Sequence, residues 1–180
     1  PHPDARPDPI LEFEGVHLTT DDGVELLSGV DLEVCRGAIT VVAGPSGAGK
    51  STLLRLGNRL EVPSAGMVRF DGRDAATIDP RELRRRVGMV FQRPVLFAGT
   101  VRDNLRVADA DADADDDRLA AALGRVGLDG AYLDRVGDDL SGGEAQRLCI
   151  ARTLLTGPDV VLMDEPTSSV DPAARLVLED

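Results

Sequence analysis

At 180 residues, 42% hydrophobic and 29% charged, the chain has the size and makeup of one globular domain with a real core. Its net charge of −12 argues against a nucleic-acid groove as the main surface. No apolar run reaches the ~18–20 residues of a membrane span, so no direct membrane insertion is expected and any membrane role requires a partner.

Residues 1–9 are polar and proline-rich, read as a disordered lead, and carry no signal-peptide pattern. Ile10 to Leu18 alternates as a half-buried strand does, Asp21-Asp22-Gly23 marks a turn, and Val30 to Val34 alternates again. Residues 10–34 therefore predict a small antiparallel sheet. Cys35 stands alone, as does Cys149; with no CxxC or metal spacing, both read as reduced core residues. Ala38 to Ala43 is a short, continuously apolar run, the pattern of a strand buried on both faces.

A glycine loop follows directly: Gly44, Pro45, Ser46, Gly47, Ala48, Gly49, Lys50, Ser51, Thr52. Lys50 is the one lysine of the chain; every other member of its 20 Lys/Arg positions is Arg. A slim stem with a compact charge fits a glycine-wrapped phosphate where a planar fork does not. Glycines open the backbone N–H groups to phosphate oxygens, and the helix expected over residues 52–60 adds its positive end. Strand, glycine loop and helix together make a phosphate-binding loop, with Lys50 on the β- and γ-phosphates and the Ser51 hydroxyl on Mg²⁺.

Further on, residues 66–70 and 87–91 read as strands and Pro80 to Arg86 as a helix with proline in its first turn. Arg84-Arg85-Arg86 reads as a solvated helix face. Thr100–Leu105 and Arg118–Val126 are expected helices. Asp109, Asp111, Asp113, Asp115, Asp116 and Asp117 between them read as a self-repelling, solvated loop. Ser141-Gly142-Gly143-Glu144 opens another helix, Gly143–Leu155, and offers hydroxyl, bare backbone and dipole to an anion. Asp159 to Asp164 is a second buried strand, which delivers Asp164 to hold Mg²⁺ and leaves Glu165 facing elsewhere to polarise a water. A last helix is expected over Pro172–Leu178.

Gly44–Thr52, Leu140–Arg147 and Val160–Glu165 resemble the Walker A, signature and Walker B motifs of ATP-binding cassette (ABC) ATPases, from about Ile10 to the chain end. Gln92 matches the family's Q-loop glutamine, which senses Mg²⁺ and the γ-phosphate, and Asp171 falls in a segment that resembles the D-loop. The resemblance implies an α/β P-loop NTPase of ABC type: a RecA-like, mostly parallel core, an antiparallel β subdomain and a helical subdomain. Residues 10–92 and 140–180 would be core and 93–139 the helical subdomain of a single domain spanning 1–180. Catalysis would fall to Glu165 and Gln92, and the metal to Ser51, Gln92 and Asp164. ATP and Mg²⁺ would be the cofactors. A second nucleotide-binding domain would dock head to tail, so that Ser141, Gly142, Gly143 and Glu144 complete its ATP site. Pro94 to Leu105 looks like the stretch that meets a permease, although Leu96 and Leu105 read as subdomain core.

The family's position for an adenine-stacking aromatic falls near Thr19 or Thr20, and neither is aromatic. Glu144 stands where Gln is common. The family's switch histidine lies beyond the Walker B glutamate, but His2 and His17 both precede the glycine loop and the chain stops at Asp180. The expectation is a C-terminally incomplete domain that binds ATP weakly and turns it over slowly in isolation. The expected role is the ATPase subunit of an ABC transporter, cytoplasmic and held at the inner face of the plasma membrane by a separate permease. A soluble non-transport ABC ATPase and a hydrolysis-deficient nucleotide-binding fragment stay open as alternatives, as do cargo and direction.

Overall fold

A computed structural model describes residues 8–108 and 115–165, and the chain divides into two compact units, Pro1–Arg84 and Arg85–Asp180. The last expected helix, over residues 172–178, lies outside the described residues.

The first unit is built on an antiparallel sheet of β1 (Pro9–Thr19), β2 (Glu25–Cys35), β3 (Ala65–Phe70) and β4 (Arg73–Asp74), in the order β2-β1-β3-β4. β1 pairs on both edges, and its alternation follows from that place: Leu11, Phe13 and Val16 are buried while Glu14 is exposed. The β1–β2 turn is closed by Thr20, whose N–H donates to Val24 O at 2.9 Å and whose hydroxyl accepts from Val24 N–H at 3.1 Å. This is the expected sheet, with longer strands and two further members.

One element and two residues depart from expectation. Ala38 to Ala43 forms no strand; Ile39 is 92% and Val41 80% exposed. An apolar run becomes a buried strand only where neighbours take up its backbone hydrogen bonds, and no described strand pairs with it. Cys35 is only half-buried, at the end of strand β2, whereas Cys149 is buried as expected. α1 (Lys50–Gly57) follows the glycine loop, and α2 (Pro80–Arg86) lies across the division between units. Arg84 is more than a solvated side chain: its guanidinium donates to Arg59 O at 2.6 Å and Asn58 O at 3.3 Å.

The second unit holds a parallel pair, β5 (Val87–Val90) and β6 (Val160–Met163), in the register Val87↔Val160 to Val90↔Met163. Backbone bonds from Asp159 N–H to Arg86 O, 2.8 Å, and from Asp164 N–H to Val90 O, 3.0 Å, extend the pairing at both ends. Parallel strands need a long crossover, and here it carries α3 (Val101–Arg106), α4 (Asp116–Gly124), a 3₁₀ turn at Gly130–Asp134 and α5 (Gly142–Leu155). Their buried side chains, Leu105, Leu119, Leu123, Leu133, Leu148 and Ile150 among them, form one core with Val90, against which Leu96 packs.

Capping explains the helix starts. Thr100 and Asp103 make a reciprocal box at α3: Thr100 N–H donates to the Asp103 carboxylate at 2.8 Å, and Asp103 N–H to the Thr100 hydroxyl at 3.2 Å. Asp115 caps α4 by accepting from Arg118 N–H at 3.0 Å, and Asp116 and Asp117 occupy its first turn. Part of the acidic run is thus a helix start, where carboxylates meet the positive dipole end; Asp109, Asp111 and Asp113 lie outside the described residues. Asp116 and Asp134 both pair with Arg102.

Candidate functional site

The glycine loop belongs to the first unit. Gly47 and Gly49 have φ of 81° and 84°, left-handed values that a side chain rarely adopts. A Cβ on Gly49 would stand 2.7 Å from Leu27 Cδ2 and 3.0 Å from Leu26 O, so glycine is required there twice over. Gly49 is the N-cap of α1, and no side chain closes that helix end. The loop itself curls round its lysine: Lys50 Nζ donates to Gly44 O and Pro45 O, both at 2.9 Å. Gly44, Pro45, Ser46 and Ala48 are exposed, while Ser51 and Thr52 are half-buried in the first turn of α1. Left-handed glycines, an uncapped helix start and a centred ammonium make a cradle for a phosphate group.

The other predicted groups belong to the second unit. The register of β5 and β6 decides their meeting. Gln92 lies two residues past Val90 and Glu165 two past its partner Met163, and Gln92 Nε2 donates to Glu165 Oε2 at 2.7 Å. Glu165 has φ of 46°, so the backbone turns sharply after β6. Asp164, between strand and turn, is buried. With its N–H directed to Glu165, Gln92 keeps its amide oxygen for other partners.

Ser141 caps α5. Its N–H donates to Glu144 Oε2 at 2.7 Å, and its hydroxyl accepts from Glu144 N–H at 3.3 Å. Ser141 and Gly142 are exposed and Gly143 is half-buried. The carboxyl of Glu144 is held well below the usual range, down to about 2 from 4.5, first by the Tyr132 hydroxyl and then by Ser141, against the opposing effect of burial. Tyr132 Oη donates to Glu144 Oε1 at 2.6 Å and Arg135 Nη1 to the same oxygen at 3.2 Å. Neither partner is marked as a site residue by the sequence. Their spacing from Glu144 carries no pattern, because a 3₁₀ turn and a loop intervene. Asp171 lies outside the described residues.

Of the expected metal donors, Ser51 offers a hydroxyl in the first unit, and Asp164 a carboxylate and Gln92 an amide oxygen in the second; each is the hard oxygen type that Mg²⁺ takes. Among the described residues no group of three or more His, Cys, Asp or Glu forms a metal cluster.

The sequence profile of the ABC transporter family matches residues 27–168, a span that includes the glycine loop, Gln92, the Ser141 turn and Glu165. This chain belongs to the ABC transporter family. The family's ATP-binding domains are ATPases with the P-loop fold seen here. ABC transporter I family member 17 of Arabidopsis thaliana is 43% identical over 175 residues, covering 96% of this chain and 66% of its own length. Protein STAR1 of Oryza sativa subsp. japonica is 47% identical over 160 residues, covering 88% of this chain and 46% of its own length. A bacterial Atm1-family ABC exporter solved with ATP bound superposes with a TM-score of 0.85 at 33% identity, covering 98% of this chain and 33% of that one. The chain thus spans two thirds or less of each of these relatives. Among its described residues no helix is long and apolar enough to cross a membrane.

Proposed function

We propose that this chain is the ATP-binding and ATP-hydrolysing part of an ABC transporter, working through a permease on a separate chain. The observation that carries the reading is the presence, in one chain, of a lysine-centred phosphate loop and a second, serine-capped anion turn at Ser141. One phosphate loop serves many nucleotide enzymes; a second anion-type turn in the same chain, beyond its work as a helix cap, fits a site that covers another copy's ATP. Residues 10–92 and 140–180 are then the nucleotide core and 93–139 the helical subdomain.

In this reading the residues of Gly44–Thr52 hold the phosphate chain of ATP, with Lys50 on the β- and γ-phosphates. Ser51, Asp164 and Gln92 would hold Mg²⁺, which would supply positive charge to offset that of the phosphates. Glu165 orients and deprotonates the attacking water, and the proton passes to its carboxylate. Gln92, which shares a hydrogen bond with Glu165, ties the base to the state of the site. Ser141, Gly142 and Gly143 of a second copy donate to the γ-phosphate head to tail, so ATP closes the pair and hydrolysis reopens it. The permease holds the chain at the cytoplasmic face of the membrane, with the exposed Val95 and Phe97 in the segment that meets it.

The test uses the full-length protein. Lys50→Ala is expected to abolish ATP binding in an equilibrium titration, and undiminished binding overturns the phosphate-loop assignment. Co-purification with a multi-span protein encoded beside it is expected in mild detergent; failure to associate with any such neighbour overturns the transporter role but leaves the ATPase assignment standing.

A further inference from the structure

Glu144 is the most heavily engaged carboxylate around the Ser141 turn. Its side chain is 17% exposed, and both oxygens are used. Oε2 accepts from Ser141 N–H, while Oε1 accepts from Tyr132 Oη and Arg135 Nη1. The Arg135 guanidinium also lies over the Tyr132 ring, 4.6 Å from its centroid, and reaches Asp139 O at 3.3 Å. Tyr132 stands in the 3₁₀ turn Gly130–Asp134 and Arg135 caps its end, while Leu133 between them is buried in the core of the unit. That turn is itself fixed by Asp129, which accepts from Ala131 N–H at 2.7 Å. A rigid element thus presents a hydroxyl and a guanidinium to one carboxylate.

Donor chemistry makes this choice of residue specific. A glutamine at position 144 would turn its NH₂ either toward Ser141 N–H or toward Arg135 N–H, setting donor against donor in both poses. A carboxylate satisfies every neighbour. It also brings a negative charge to the first turn of α5, beside the N–H groups of the Ser141 turn. Left alone, that charge would repel an arriving phosphate.

We infer that Tyr132 and Arg135 are positioning residues for the Ser141–Gly143 turn: they lock Glu144 into the cap that orients Ser141, and Arg135 offsets its charge, so that the turn accepts the terminal phosphate of ATP held by a second copy. The inference rests on the reading of that turn as a phosphate site.

The experiment follows ATP-driven association of two copies of the full-length protein by sedimentation, in a Glu165→Gln background so that ATP is not consumed. Arg135→Ala is expected to raise the ATP concentration for half-association by roughly threefold to tenfold, with ATP binding to separate copies unchanged. Glu144→Gln should weaken association when Arg135 is present and strengthen it in the Arg135→Ala background, where it removes an unopposed charge. A merely structural support would give a loss in both. Arg135→Lys, which keeps the charge, should recover part of the loss. If Arg135→Ala fails to fold, Tyr132→Phe carries the test, with a smaller shift in the same direction. Unchanged association in the Arg135 and Tyr132 variants, or an equal loss from Glu144→Gln in both backgrounds, overturns the inference. Ser141→Ala separates the two levels: if it weakens association while the Arg135 and Tyr132 variants do not, only this inference falls; if it leaves association untouched, the phosphate reading of the turn falls as well.

Discussion

The side-chain amide of Gln92 donates to the carboxylate of Glu165 across 2.7 Å, each residue lying two positions past the end of its own parallel strand. The in-register pairing of β5 with β6 brings them together. If Glu165 is the base, Glu165→Gln should cut steady-state ATP turnover of the full-length protein by about 10²–10⁴-fold. ATP affinity should change little, since the amide keeps the shape of the side chain. Phosphate release and equilibrium binding measured side by side check this, and full turnover in the variant removes Glu165 from that role.

Gly49 offers a contrast with Gly37. Both have positive φ, 84° and 65°, but a Cβ on Gly37 meets nothing within 4 Å, whereas one on Gly49 meets Leu27 and the Leu26 carbonyl. Gly37→Ala should cost only backbone strain, about 1 kcal/mol, and leave ATP binding intact. Gly49→Ala should cost more and weaken ATP binding as well, because β2 and the loop must part. Thermal unfolding with and without ATP distinguishes the two variants.

The acid limit of stability should carry the signature of Glu144. Its carboxyl is held down to about 2 in the folded chain against an ordinary 4.5, chiefly by the Tyr132 hydroxyl. The folded state therefore favours the ionised form. Its contribution is fully present above about 4.5 and is lost as the pH falls through about 2. Tyr132→Phe removes the largest cause and should move the acid unfolding midpoint upward, while leaving stability at neutral pH reduced by a constant amount. Circular dichroism across pH 2–7 reads both; an unchanged acid midpoint would show that the tyrosine does not hold the carboxylate.

Asn104 is a structural keystone of the segment that follows Gln92. It is fully buried, its amide donates to Phe97 O and Thr100 O, and its oxygen accepts from Phe97 N–H and Arg152 Nη1. Arg152 also donates to Val95 O and lies over the Phe97 ring at 4.8 Å. Asn104→Ala strands buried backbone groups and should destabilise the fold by about 1–3 kcal/mol per unsatisfied group, in chemical denaturation. Arg152→Ala, at a half-exposed position, should cost less while loosening the same segment to proteolysis.

Local patterns were legible where a signal spans few residues. The β1 alternation, the Asp21-Gly23 turn and the Ser141 cap each depend on neighbours within a few positions, and the structure carries all three. Ala38 to Ala43 departs from its pattern because apolarity alone does not make a strand: its hydrogen bonds need partners that distant chain supplies, and no described strand pairs with it. The acidic run departs from a solvated loop in part because Asp115 gains a role only once α4 begins behind it.

From sequence alone came the chemistry: one lysine in a glycine loop, a serine-glycine turn and a carboxylate after an apolar run, residue types whose use is set by charge, donor count and backbone freedom. Tertiary structure alone decided who meets whom. Strand register joined Gln92 to Glu165, residues 73 positions apart, and a 3₁₀ turn brought Tyr132 and Arg135 to Glu144. Contacts of that kind depend on packing and pairing between remote segments, and no short pattern in the chain records them.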